Sequence, residues 1–126
     1  YGKSYTNFEY EDISFGKKDV AIEELHKNGI QVEMSIKNIG EQDGYAVPLV
    51  YIAGEQGSVV RRAKELKGFQ KIWLKKGESK KVSIFLPSEA FAVWNSEMKF
   101  TVEPGRVQII LEEMGQTVGS ETLNLF

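Results

Sequence analysis

The stretch Lys64–Leu74, KELKGFQKIWL, continues directly into Lys75–Leu86, KKGESKKVSIFL, and these two segments indicate the fold. Both are rich in β-branched and aromatic residues, and Lys76-Gly77-Glu78 between them is typical of a tight turn. The pattern predicts strand, turn and strand, with the two strands as antiparallel neighbours.

Alternation of apolar and polar residues extends this prediction along the chain. It is clearest over Ile30–Ile36, and it recurs over Val20–Ile22, Val82–Leu86 and Val107–Leu111. Successive side chains of a strand face opposite sides, so these segments are expected to be half-buried strands. Turn residues recur about every ten residues, as is typical of a sandwich. We predict one all-β domain, an immunoglobulin-like or fibronectin type III-like antiparallel β-sandwich.

Three local features complete the expected fold. Only Pro87–Phe91 has a helical pattern, and its brevity predicts a single turn. The weakly patterned segment 54–60 is expected to be a loop. Pro48 cannot donate a ladder hydrogen bond, so it should lie at a sheet edge or a bulge, either facing water or next to a neighbouring domain.

Composition restricts the classes of partner. The 126 residues include 16 basic and 18 acidic side chains, which are interspersed and give a net charge of −2. No basic stripe is present for a nucleic acid, and no apolar run approaches the roughly 20 residues that span a bilayer, so neither partner is expected. The absence of cysteine excludes Cys/His zinc sites and leaves the cellular location open.

Four blocks of the sequence resemble one family. Lys64–Leu86 is similar to the text KELKGFEKVFLKPGESKTVTFTL, which is typical of the fibronectin type III-like module at the C-terminus of family 3 glycoside hydrolases, the β-glucosidase and β-xylosidase group. Tyr1–Tyr10 resembles YGLSYTTFEY of that family, and Val32–Ile52 and Phe91–Leu111 resemble its later strands in the same order. Arg62, Pro48-Leu49 and Phe100 depart from the usual pattern of the family, so their local contacts are expected to differ.

The resemblance implies how the chain is organised. Residues 1–10 would be a linker leading into the first strand, and residues 11–126 would be the sandwich, a fragment of a larger glycosidase. The parent would hydrolyse terminal β-linked sugars by a retaining two-carboxylate mechanism without a cofactor. The family's nucleophile and acid/base residues belong to upstream domains, so none is carried over to this chain.

Catalytic candidates are few in the residues themselves. His26 is the only histidine and lies in the polar segment Glu23–Gly29, where a solvated loop histidine is expected. The adjacent pairs Glu23-Glu24 and Glu112-Glu113 are expected in or beside strands, where neighbours face opposite sides. They should therefore not converge across a sugar as glycosidase carboxylates do. We assign no catalytic, cofactor-binding or metal-binding residue.

Candidate contacts with another domain or a sugar are Tyr1, Tyr5, Arg61, Glu65 and Trp73. Tyr1 and Tyr5 belong by resemblance to the linker. Trp73 is expected to point outward between lysines, where it either meets a partner or covers neighbouring strands beneath lysine stems. A charged segment is interpreted first as a solvated face with local ion pairs, and it comprises Arg61, Arg62, Lys64, Glu65 and Lys67. Docking through Arg61 and Glu65 is the alternative.

Trp94 is treated separately from these candidates. We interpret it as core or rim packing, with a sugar contact as the alternative.

Two functions follow from these observations. The first is a structural module that docks on the catalytic domains of its parent, an intramolecular partner, and stabilises the enzyme. The alternative is a carbohydrate-binding module that holds polysaccharide through exposed aromatic residues such as Trp73. A third function, autonomous catalysis, is disfavoured by the lack of converging carboxylates and histidines.

Overall fold

A computed structural model of the chain describes residues 7–126, apart from the side chain of Arg62. The described part contains an α-helix, α1 (Ile22–Asn28), and a 3-10 turn (Ser88–Phe91). Its strands are β1 (Phe8–Ser14), β2 (Asp19–Val20), β3 (Ile30–Asn38), β4 (Gly44–Ala46), β5 (Leu49–Gln56), β6 (Val59–Phe69), β7 (Ile72–Leu74), β8 (Ser79–Leu86), β9 (Ala92–Trp94), β10 (Phe100–Val102), β11 (Gly105–Glu113) and β12 (Gln116–Leu125).

The strands form a β-sandwich. One sheet has five strands in the order β2-β12-β11-β5-β6, and the other has three in the order β1-β3-β8. The pairs β4-β7 and β9-β10 form two small additional sheets. Every pairing is antiparallel except that of the two-residue strand β2 with β12, which is parallel. The predicted all-β sandwich is confirmed.

The core lies between the two main sheets and follows the predicted alternation. On β3, Ile30, Val32, Met34 and Ile36 are buried, while the residues between them are exposed or half-buried. On β11, Val107, Ile109 and Leu111 are likewise buried. These side chains belong to one continuous apolar cluster that includes residues of both sheets. The inward faces of the strands are therefore occupied by packing.

The prediction that Lys64–Leu74 and Lys75–Leu86 are antiparallel neighbours is wrong. β6 ends at Phe69, and after a two-residue break β7 pairs with β4 rather than with β8. β8 pairs with β3 in the opposite sheet. The turn at Lys76-Gly77 is present, with Gly77 at φ +80°, but the chain changes sheets there. Local pattern identified the strands and the turn, whereas their partners depend on distant residues.

The helix α1 was not predicted, and the expected strand at Val20–Ile22 ends at Val20. The helix has seven residues, and Leu25 is its one buried side chain, so it has no apolar stripe to detect. Its first turn carries Glu23 and Glu24, and Gly29 at φ +61° ends it. His26 is exposed as predicted, but it lies on this helix rather than in a loop.

Two other local predictions also need correction. Residues 54–60 are not a loop, because β5 continues to Gln56, β6 starts at Val59, and only two residues turn between them. Pro48 is buried, so the interpretation as a proline facing water is wrong. It lies between β4 and β5, where the chain passes from one sheet to another. The single turn predicted at Pro87–Phe91 is confirmed by the 3-10 turn.

Candidate functional site

The sandwich has two ends that differ in their exposed residues. β11 starts at Gly105 beside Gln56 and ends at Glu113, whose carboxylate contacts Tyr10 and Val47. We call the end near Glu113 the linker end, because Asn7, the first described residue, lies there. The other is the distal end. Nine residues of β11 separate the two ends by roughly 25–30 Å.

The linker end carries a cluster of exposed apolar side chains. Trp73 is 45% exposed and meets the ring of Tyr45 edge-on, with centroids 4.8 Å apart and planes at 67°. The Lys71 ammonium lies 4.3 Å from the centroid of the Tyr45 ring. Ile39 and Met114 are also exposed, and with Tyr45 they line a groove of about 580 Å³. Ile39, Tyr45, Trp73 and Met114 are named the linker-end patch.

The distal end contains a second groove of about 400 Å³, which we call the distal groove. Trp94 and Phe100 face each other across the hairpin of β9 and β10, with ring centroids 5.3 Å apart and planes tilted by 43°. Trp94 is 66% exposed and Phe100 is 52% exposed. The groove is completed by Val59, Val60, Arg61, Glu65, Lys67, Ala92 and Val93.

Arg61 is the polar centre of this groove. Its side chain is only 2% exposed, and its Nε donates to Oε1 of Glu65 at 3.1 Å. Its Nη1 donates to the side-chain oxygen of Gln56, which is itself fully buried. Among the buried side-chain nitrogen and oxygen atoms of residues 7–126, Nη2 of Arg61 alone lacks a hydrogen-bond partner. The guanidinium is thus held on two sides and has one free donor group.

Gln56 explains why Arg61 is held rigidly. Its amide nitrogen donates to the carbonyl of Phe91 at 2.7 Å and to the carbonyl of Glu103 at 3.0 Å. Both donor hydrogens are satisfied by backbone, so the amide oxygen is oriented toward Arg61. The arginine therefore depends on a network of buried hydrogen bonds rather than on one flexible contact.

The arrangement of Arg61 depends on an irregularity that the sequence did not reveal. In a regular strand, residues four positions apart are separated by roughly 13 Å and cannot form a hydrogen bond. The register of β5 and β6 shifts between Glu65 and Arg61, which indicates a bulge in β6 and brings these side chains together. Arg61 is therefore buried, and the alternative of a fully solvated Arg61–Glu65 face is wrong.

The pair Glu112-Glu113 occupies separate positions at the linker end. Glu112 is buried and forms an ion pair with Lys64, whereas Glu113 accepts hydrogen bonds from the Tyr10 hydroxyl and the Val47 backbone nitrogen. The two carboxylates thus have different partners, but the expected alternation is interrupted here, because both glutamates are buried and the register of β11 and β12 shifts between Leu111 and Glu112. Burial raises the pKa of Tyr10, and the hydrogen bond and charge of Glu113 raise it further.

Chemistry elsewhere in the described residues is limited. No three His, Asp or Glu side chains of residues 7–126 are grouped so that they could hold a metal ion. No helix in the same part of the chain is long and apolar enough to cross a membrane. Glu23 and Glu24 lie on α1, so their expected place in or beside a strand is wrong.

The other predicted contacts divide into three groups. Trp73 points outward as predicted, and Glu65 is half exposed. Tyr1 and Tyr5 lie outside the described residues, so their contacts stay predictions. Trp94 is exposed, so core packing is the wrong interpretation. Its pairing with Phe100 was readable from the sequence, because a turn centred near Glu97 places the two residues opposite each other.

Comparisons with known proteins agree on one family. The model of the family described as "Fibronectin type III-like domain" matches residues 46–113. A thermostable β-glucosidase B from Acetivibrio thermocellus is 41% identical over 112 residues, which cover 88% of this chain and 14% of that protein. The chain therefore spans about a seventh of this relative's length.

Solved structures show the same likeness. The chain is similar to part of a β-glucosidase from Listeria innocua in complex with isofagomine, with a TM-score of 0.82, 31% identity, and coverage of 96% of this chain and 16% of that one. It is also similar to part of the GH3 β-glucosidase from Bifidobacterium adolescentis, with a TM-score of 0.79, 26% identity, and coverage of 96% and 17%.

Proposed function

We propose that this chain, which belongs to the fibronectin type III-like domain family, is an accessory module of a family 3 glycoside hydrolase. In this role it docks on the catalytic domains of its parent and stabilises the assembled enzyme. The parent would hydrolyse terminal β-linked sugars, in keeping with the β-glucosidases to which the chain is similar. The observation that carries the docking role is the linker-end patch.

The patch has the composition of an interaction surface. Single exposed apolar residues are ordinary, but Ile39, Tyr45 and Met114 line one groove, and Trp73 extends this apolar surface through its contact with the Tyr45 ring. Lys71 and the polar residues Glu41–Asp43 surround them, and a polar rim around an apolar centre is typical of protein interfaces. The patch lies beside Asn7, the first described residue, so a domain joined through the residues before it would be close to the patch.

The docking role is tested by comparing the same substitutions in the full-length parent and in this 126-residue chain. The double variant Tyr45→Ser with Trp73→Ser should lower the melting temperature of the full-length parent by several degrees more than it lowers that of this 126-residue chain, because only the parent loses an interdomain contact. Met98→Ser is the matched control, since Met98 is exposed on the β9–β10 hairpin at the distal end. Equal shifts in both settings would exclude docking through this patch.

Carbohydrate binding is the second candidate function, and one observation favours it. The distal groove combines exposed aromatic rings with a buried arginine that has a free donor group. Trp73, the aromatic residue first expected to contact sugar, is less suited, because its ring meets Tyr45 edge-on and the two share no common face. Calorimetric titration of this chain with soluble glucans and xylans tests carbohydrate binding. The absence of heat at millimolar sugar would rule this function out.

A further inference from the structure

We propose that the distal groove is a saccharide-binding site, in which Trp94 and Phe100 stack on sugar rings while Glu65, positioned by Arg61, hydrogen-bonds to sugar hydroxyls. This inference gives the second candidate function a location and a mechanism. It does not depend on docking at the linker end.

The aromatic pair supplies the apolar part of the site. A pyranose ring has a face of C–H groups that can be buried against an aromatic ring, and both rings here are more than half exposed. Because their planes are tilted by 43°, the rings form a bent platform rather than a flat one. A bent platform fits a single soluble chain, whose successive rings can turn, and does not fit the flat face of a crystalline polymer.

Glu65, held by Arg61, supplies the polar part. The carboxylate of Glu65 is half exposed and can accept from a sugar hydroxyl, whereas Nη2 of Arg61 has almost no exposed surface and would reach a ligand only after neighbouring side chains shift. Arg61 holds this carboxylate at 3.1 Å and is itself held by Gln56, so little conformational entropy is lost when a ligand binds.

The charge and size of the groove agree with a sugar. Glu65 lies 3.1 Å from Arg61 and 3.4 Å from Lys67, so one carboxylate is shared by two cations. These three side chains carry a net charge of +1, which is too little to hold a polyanion, so the proposed ligand is a neutral hydroxylated sugar. A volume of about 400 Å³ is within the usual range for small-ligand sites. Trp94 and Phe100 lie at the opposite end of the sandwich from the linker-end patch, so docking through that patch would leave the aromatic pair exposed.

Tryptophan fluorescence offers a direct test, because the chain has only two tryptophans. In the Trp73→Phe variant, the remaining Trp94 should change its emission when cellopentaose or xylopentaose is added to millimolar concentration. In the matched Trp94→Phe variant, the emission of Trp73 should stay constant. A response of Trp73 with none of Trp94 would overturn the assignment to the distal groove.

Variants of the polar residues test the mechanism by calorimetric titration of the same two sugars. Glu65→Gln and Arg61→Lys should each weaken binding about tenfold, corresponding to about 1.4 kcal/mol. Phe100→Ser, a change at an exposed position, should weaken it similarly and keeps the test valid if Arg61→Lys does not fold. Unchanged affinity in Glu65→Gln and Phe100→Ser would overturn the proposal.

The competing occupant of the groove is a surface of the parent's catalytic domains. If the catalytic domains occupy the groove, neither sugar binds to this chain, and Trp94→Ser lowers the melting temperature of the full-length parent more than that of the chain. That pair of results would overturn the saccharide site. It would leave the docking role supported, so failure of this proposal is distinguishable from failure of the docking function.

Discussion

The linker end and the distal end each present an exposed aromatic pair, but their polar neighbours differ. At the linker end, Tyr45 and Trp73 lie beside Lys71, a cation on a long flexible stem. At the distal end, Trp94 and Phe100 share a groove with Arg61, which is buried and held by two side chains. A flexible cation can adapt to a protein surface, whereas a fixed guanidinium is suited to a ligand of defined geometry.

A buried amide supports each end, and the two amides have different tasks. Asn38 at the linker end donates to the carbonyls of Gln42 at 2.9 Å and Leu74 at 3.0 Å and accepts from the Gly40 nitrogen at 2.9 Å. All its partners are backbone groups. Gln56 at the distal end also joins two carbonyls, but its oxygen holds a charged side chain. This difference leads to the largest predicted effect.

Replacing Gln56 or Asn38 by leucine should lower the unfolding free energy by different amounts at the two ends. Gln56→Leu is expected to cost about 3–5 kcal/mol of unfolding free energy, because it leaves two carbonyls without donors and removes a partner from a buried guanidinium. Asn38→Leu should cost less, about 2–3 kcal/mol, because it orphans only neutral groups. Urea denaturation of the three chains measures both. A larger loss in Asn38→Leu would contradict the view that the distal network is centred on a charge.

Glycine substitutions compare backbone packing near the ends. Gly54 on β5 has φ +118°, and an added Cβ would lie 2.4 Å from the carbonyl oxygen of Arg106. Gly54→Ala should therefore cost about 2–3 kcal/mol. The matched change Gly44→Ala at the linker end places the Cβ 3.9 Å from Phe8, an ordinary contact, and should change stability by less than about 0.5 kcal/mol. Thermal unfolding of both variants provides the measurement, and equal losses would disprove the difference.

Alkaline pH should destabilise the linker end. The pKa of Tyr10 is raised by burial and by Glu113, so the folded state keeps a proton that the unfolded state releases near pH 10. The contribution of Tyr10 is intact below about pH 10 and decreases above it by up to about 1.4 kcal/mol per pH unit.

Tyr10→Phe tests this assignment, because it keeps the ring and removes the ionisable hydroxyl. Urea denaturation at several pH values between 8 and 12 should give a shallower alkaline decrease for the variant than for the parent chain. The two chains differ by this hydroxyl alone, so the difference between the slopes isolates Tyr10. Parallel decreases would show that the linker end is not the alkaline-sensitive region.

The smallest expected effect concerns the aromatic pairs themselves. Double-mutant cycles in this chain, with alanine replacing Tyr45 and Trp73 or Trp94 and Phe100, should each give a coupling energy of about 0.5–1 kcal/mol. Both pairs are exposed, so neither should be essential for folding. A coupling well above about 1.5 kcal/mol at the distal end would indicate that these rings serve the fold rather than a ligand.

Particular residues show which features of the structure could be predicted from the sequence. The alternation on β3 and β11 predicted which side chains are buried, and the hairpin positions of Trp94 and Phe100 were readable although their exposure was not. The outward direction of Trp73 also followed from the period of its strand. The helix α1 was missed because a seven-residue helix with one buried side chain has too little periodicity to detect.

The candidate site at the distal end was mostly hidden from sequence reasoning. Arg61 and Glu65 were selected as a pair, but the bulge in β6 that joins them depends on pairing with β5. Gln56 was placed in an expected loop, yet it is fully buried and orients the arginine. These errors share a cause, since each residue acquires its role from partners that are distant along the chain.

The sequence by itself determined the inward faces of β3, β8 and β11 and the turn at Lys76-Gly77, because the period of a strand and the conformational preferences of turn residues act over a few neighbouring positions. Its wording also identified the family. Only the tertiary structure decided which strands pair, where the chain changes sheets, and that Arg61 is buried with one donor group free beside Trp94. Those features arise from pairing and packing between distant segments, whose geometry no local pattern contains.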